Sequence, residues 1–109
     1  MTVAQLASKL GLQAVTTLHD REVEGAIASD LLSDILANAG PGYVWVTIQT
    51  HRNVAAVASA QSLAAVIVTA ERQPAADLIA LAEAEQVAIL VSDESTYTVC
   101  GRLYEAGVR

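Results

Sequence analysis

Between Thr47 and Asn53 the chain places Thr47, Gln49, Thr50, His51, Arg52 and Asn53, its densest run of hydrogen-bonding and ionisable side chains in a sequence otherwise rich in Ala, Val and Leu. Such a run suits a small anion. Backbone N–H groups opening a following helix, the Thr50 hydroxyl and the Arg52 guanidinium would hold the charge, while Gln49 and Asn53 supply amides that orient the rest of the ligand. The plainer alternative is that Thr50 caps that helix and His51 and Arg52 face water.

Other positions offer less. Ser29 and Asp30 form a polar turn, and Asp34, four residues on, would share a helical face with Asp30. Two carboxylates without further oxygen ligands specify little, so no metal site is expected. At Asp20-Arg21 the guanidinium could clamp a phosphate or carboxylate, or the pair could fix a turn or meet a neighbouring subunit. His19 and His51 are the only histidines and Cys100 the only cysteine, so zinc spacing is lacking. Neither a Gly-x-Ser-x-Gly elbow nor a Gly-x-x-x-x-Gly-Lys-Ser/Thr loop is present. A small enzyme would have to bring Asp30, His51 and Arg52 within hydrogen-bonding reach of one another.

The elements that position these residues follow from hydrophobic spacing. Thr2 and Gln5 have the spacing of a capping box, Val3, Leu6, Ala7 and Leu10 recur at helical period, and Gly11 stops the helix. Leu12 to Thr17 reads as a strand and Val23 to Ala28 as another extended stretch, with Gly25 suited to close backbone approach or a bulge. Asp30 to Asn38 reads as a helix ended by Gly40-Pro41-Gly42. Strands then follow at Tyr43 to Ile48, Ala64 to Thr69 and Val87 to Val91, starting about twenty residues apart as crossover helices between parallel strands require. The intervening helices run through Val54, Val57 and Ala58, and from Pro74 through Leu78, Ile79 and Ala82. A last one runs through Val99, Leu103 and Ala106. This rhythm predicts a three-layer α/β domain with about five mostly parallel strands. Ligands approach such sheets at the carboxyl ends of the strands, here Ser29-Asp30, Gln49 to Asn53, Thr69 to Arg72 and Ser92 to Ser95.

A chain of 109 residues fits one domain spanning 1–109. Hydrophobic residues make up 53% and aromatics 4%, so the core must be built from small aliphatic side chains. The formal net charge is −6 with the cations scattered, which argues against nucleic acid. No apolar run approaches the roughly 18 residues of a membrane span, and the lone cysteine fits a reducing compartment, so a cytoplasmic protein is expected.

Three stretches carry a family resemblance: Asp20-Arg21-Glu22-Val23-Glu24-Gly25, Ala28-Ser29-Asp30-Leu31-Leu32-Ser33-Asp34 and Trp45 to Asn53. Together they resemble the DRTGG domain, which is similar to the N-terminal domain of HPr kinase/phosphorylase and occurs in regulatory proteins. The resemblance covers nearly the whole chain. It implies an α/β fold like that N-terminal domain and a non-catalytic regulatory role, because phosphoryl transfer in HPr kinase belongs to a separate domain with a phosphate-binding loop. Where the family has Thr followed by glycines this chain has Thr69-Ala70-Glu71, whose side chains would obstruct backbone approach by a ligand.

The expectation is therefore a regulatory domain without a cofactor, taking a small anionic metabolite or nucleotide, or docking on a partner enzyme. Its ligand residues would be Ser29, Asp30, Thr47, Gln49, Thr50, His51, Arg52, Asn53 and Thr69. The rival reading is a pure interaction subunit. In either case Tyr97, Cys100 and Tyr104 fall at helical spacing beside the core stripe of the last helix. With Asp20 and Arg21, Tyr97 and Tyr104 would form the interface of a homodimer. Trp45 is expected to pack rather than to stack on a base.

Overall fold

The computed structural model describes residues 1–109. Helix α1 spans Val3–Leu10, strand β1 Gln13–Ala14, β2 Gly25–Ala28, α2 Leu32–Asn38, β3 Tyr43–Thr47, α3 Asn53–Ala60, β4 Ala65–Val68, α4 Ala76–Ala84, β5 Ala88–Val91 and α5 Thr96–Glu105. The five strands form one sheet in the order β1-β5-β4-β3-β2. All neighbours are parallel except β1, which runs antiparallel to β5. This is the three-layer, mostly parallel architecture the spacing predicts.

From β2 to β5 each new strand joins on the same side of the last, and crossovers of one hand then send every connecting helix to the same face. The packing follows that rule. Ile35 of α2, Val54 of α3 and Leu78 of α4 bury against Trp45, Val66, Val68 and Ile89. On the other face Leu6 and Leu10 of α1 and Val99 and Leu103 of α5 cover Val44, Val46, Ile67 and Leu90. Alternate residues of each central strand therefore serve opposite cores, which is why β3, β4 and β5 read as unbroken apolar runs. Trp45 is fully buried, and its indole N–H donates to the Ser29 carbonyl at 2.7 Å.

Local chemistry sets several boundaries. The capping box is formed: Thr2 Oγ1 accepts from the Gln5 N–H, and Gln5 Oε1 accepts from the Thr2 N–H. Gly11 closes α1 in the left-handed conformation, φ 66°. At Gly25 a Cβ would stand 2.9 Å from the Tyr43 ring, so the close approach read from the sequence is to β3.

The strands β3, β4 and β5 fall within one residue of expectation at each end, and four elements differ by two residues or more. Leu12 to Thr17 is a strand only at Gln13–Ala14: the Val15 N–H still donates to the Ile89 carbonyl at 3.0 Å, but the Thr16 hydroxyl then takes the Ile89 N–H at 2.9 Å in place of a backbone carbonyl, and Thr17 bonds Glu83. The second strand begins at Gly25, not Val23. Helix α2 begins at Leu32, so Asp30 lies outside it and does not share a helical face with Asp34. The fourth helix begins at Ala76, two residues beyond Pro74.

Candidate functional site

The carboxyl ends of β2, β3 and β4 are joined by one chain of hydrogen bonds. Thr47 and Thr69 terminate β3 and follow β4 with no exposed surface, so their hydroxyls must find partners inside the protein. The Thr47 hydroxyl donates to the Asp30 carboxylate at 2.9 Å, and the Ile48 N–H donates to the same oxygen at 3.0 Å. The Gln49 amide donates to the Asp30 carbonyl at 2.9 Å. Thr69 Oγ1 donates to the Thr47 carbonyl at 3.4 Å or shares a proton with Thr96 Oγ1 at 2.6 Å, joining the sheet edge to α5. Ser29, whose Oγ accepts from the Leu31 N–H, shapes the turn before this chain.

Of the residues singled out from the sequence, Ser29, Asp30, Thr47, Gln49 and Thr69 thus come together, but they spend their polar groups on one another. Thr50 to Asn53 form a separate, outer loop. Thr50 is not the cap of α3: Arg52 occupies that position and makes no side-chain bond to the helix. The cap acceptor is instead His51, whose Nδ1 accepts from the Asn53 N–H at 3.1 Å. The N–H groups of Val54 and Ala55 bond His51 and Arg52 carbonyls, so the first backbone donors of α3 are engaged. Asp30, His51 and Arg52 make no hydrogen bond to one another. Hydrogen bonds from the Ser29 hydroxyl and then the Asn38 amide hold Asp34 below the usual carboxylate range.

Arg21 lies at the opposite, amino edge of the sheet, where its guanidinium donates to the Ser62 carbonyl at 2.8 Å, just beyond α3. There it offsets the carbonyl-rich end of that helix. Asp20 is exposed beside it, while Tyr97 and Tyr104 stand in water on α5.

The sequence reading missed where the topology opens. Helix α4 leaves β4 toward one face and α5 leaves β5 toward the other, so the carboxyl ends of these two strands form a switch point, where open α/β sheets hold ligands. A polar cleft of about 280 Å³ is found at this edge, lined by Gln13, Glu71, Arg72, Gln73, Ser92 and Asp93 among others. Two successive non-glycine residues, Ala70 at φ 57° and Glu71 at φ 62°, make the turn into it. Their N–H groups bond the carbonyls of Glu94 at 2.8 Å and Ser92 at 3.1 Å, strapping the loop after β4 to the loop after β5. The sequence names Thr69 to Arg72 and Ser92 to Ser95 among four strand ends, but strand order, which makes these two neighbours at the switch point, is not readable from it.

Fold and edge together define a small α/β domain in which polar loops are gathered at the carboxyl ends of a mostly parallel sheet. The chain belongs to the DRTGG domain family, whose model matches residues 3–106. Among solved structures it is similar to the CBS and DRTGG domains of the regulatory region of Clostridium perfringens pyrophosphatase, complexed with the activator diadenosine tetraphosphate. The TM-score is 0.70 at 11% identity, over 94% of this chain and 45% of that one, so this chain spans less than half the length of that structure. No curated protein sequence matches.

Proposed function

We propose that this protein is a non-catalytic regulatory domain that takes a small anionic metabolite or nucleotide at the β4/β5 switch point, and that it works as a homodimer in the cytoplasm as one folded unit. The observation that carries the reading is the polar cleft at that switch point, where Arg72 supplies the positive charge. Gln13, Gln73 and Ser92 add neutral donors and acceptors, and Glu71 accepts from ribose or sugar hydroxyls. Family membership supports the regulatory role, since the similar pyrophosphatase region is described as regulatory and was solved with a nucleotide activator.

The outer loop from Thr50 to Asn53 is the second place where an anion or a partner enzyme would meet the chain, with Ser29, Asp30, Thr47, Gln49 and Thr69 as the scaffold beneath it. A thermal-shift panel of nucleotides, acyl phosphates, phosphosugars and carboxylates, with and without magnesium, separates the possibilities. A ligand at a hundredfold excess over its Kd stabilises the fold by about 2.7 kcal/mol. An upward shift lost in Arg72→Ala and kept in Arg52→Ala places the ligand at the switch point. The reverse pattern moves it to the outer loop, and no shift across the panel leaves docking on a partner enzyme as the working role.

A further inference from the structure

Helix α5 shows two faces. Val99 and Leu103 are buried against the sheet, whereas Tyr97, Cys100, Gly101 and Tyr104 follow the i, i+3, i+4, i+7 spacing of a second stripe. Tyr97 is 89% and Tyr104 60% exposed. Between them, Gly101 sits mid-helix in the open, with no atom within 4 Å of where a Cβ would stand. Glycine there costs the helix about 1 kcal/mol relative to alanine, and no turn or contact in its own chain requires it.

The stripe is the same when read backwards: tyrosine, two residues, two small residues, two residues, tyrosine. We infer that α5 is the seam of the homodimer, packed antiparallel against its copy about a twofold axis at Cys100 and Gly101. This inference rests on the dimer reading above and names its surface. The absent side chain at Gly101 lets the two helix backbones approach closely, and each Tyr97 then faces Tyr104 of the partner subunit, giving the isologous contact a twofold demands. An apolar cleft of 260 Å³ beside the stripe, formed by Ala26, Ile27, Ala28, Cys100, Leu103 and Tyr104 among others, receives the incoming tyrosine ring.

Charge fits the same arrangement. The Arg109 guanidinium lies over the Tyr104 ring at 4.1 Å, at one end of the stripe, and Asp93 is exposed at the other end, ahead of the Ser95 cap. An antiparallel pair sets Arg109 beside Asp93 of the partner subunit, twice. Arg102 and Glu94 already pair within the chain and so bring no unmatched charge to the seam. The same tyrosines would otherwise leave an apolar stripe in water.

Sedimentation velocity on the whole chain tests this, with Gly101→Gln and the charge-reversed variants beside the parent. Glutamine is a better helix former than glycine, so Gly101→Gln keeps the helix while blocking close approach. The dimer Kd should rise roughly thirtyfold or more, the scale of losing a central interface residue. Asp93→Arg should weaken the dimer and Asp93→Arg/Arg109→Asp restore it, a rescue that no folding defect mimics. A parent dimer that survives both Gly101→Gln and Asp93→Arg overturns the α5 seam and leaves the dimer reading standing. A parent that is monomeric at every concentration overturns both.

Discussion

Thr69 is the residue at which the sheet edge and α5 meet. Its hydroxyl has no exposure to water, so it depends on the Thr96 hydroxyl and the Thr47 carbonyl for its hydrogen bonds. Replacing it with the near-isosteric valine removes the link between β4 and α5 and leaves the Thr96 hydroxyl to find water. Thr69→Val should lower unfolding stability by about 1–2 kcal/mol, read from urea denaturation. Because the Thr69 N–H keeps its own bond to the Thr47 carbonyl at 3.0 Å, the strand register should survive the change. A variant as stable as the parent would mean that the chain of hydroxyls is incidental to the edge. Asp30 illustrates a second point at this scale: a carboxylate that could serve chemistry is committed to Thr47 and the Ile48 N–H, which makes it a brace for the β2 and β3 ends.

At the scale of elements, the turn from Thr69 to Arg72 is the conspicuous departure from local preference. Left-handed backbone costs an ordinary residue roughly 1–2 kcal/mol, and here Ala70 and Glu71 both adopt it. The straps to Glu94 and Ser92 hold the turn in place against that cost. Ala70→Gly should therefore raise stability by about 1 kcal/mol in denaturant titration, the relief of strain exceeding the extra freedom of the unfolded chain. A loss instead would show that the alanine methyl makes a contact worth more than the strain. This turn also marks the limit of what was legible beforehand. Helices α1 and α5 follow from a period of 3.6 and from local caps, and β3, β4 and β5 from unbroken apolar runs starting about twenty residues apart, signals the chain carries within a few residues. The two-residue β1 does not, because its length is set by pairing with β5 76 to 78 residues away, as Gln13 meets Val91 and Ala14 meets Leu90. Strand order, and with it the switch point beside Arg72, is likewise a property of long-range pairing. Thr50 was a reasonable cap by type, but the loop places His51 Nδ1 nearer the open N–H, and residue type alone does not settle which of two adjacent side chains turns inward.

For the whole molecule, the central strands belong to two cores at once. Val66 and Val68 pack under α2, α3 and α4, while Ala65 and Ile67 of the same strand pack under α1 and α5. Neither layer of helices can leave without exposing strand residues whose neighbours, one position along, hold the other layer. The two cores should consequently unfold as a single unit, although the helices of opposite faces touch only through the sheet and at their loops. The chain carries one reporter on each side: Trp45 lies wholly within the α2–α4 core, and Cys100 is half-buried on α5 against the other. Desolvation raises the Cys100 pKa and so keeps its thiol slow to react while α5 is docked. Urea unfolding followed by Trp45 emission and by Cys100 thiol labelling at equilibrium should give one midpoint, shared with the loss of helical circular dichroism. Earlier labelling of Cys100, with Trp45 still buried, would mean that α1 and α5 peel from a surviving half. The link from Thr69 to Thr96 would then be too weak to join the layers, and the proposed switch-point site would couple to the proposed α5 seam by that local release instead of through a rigid body.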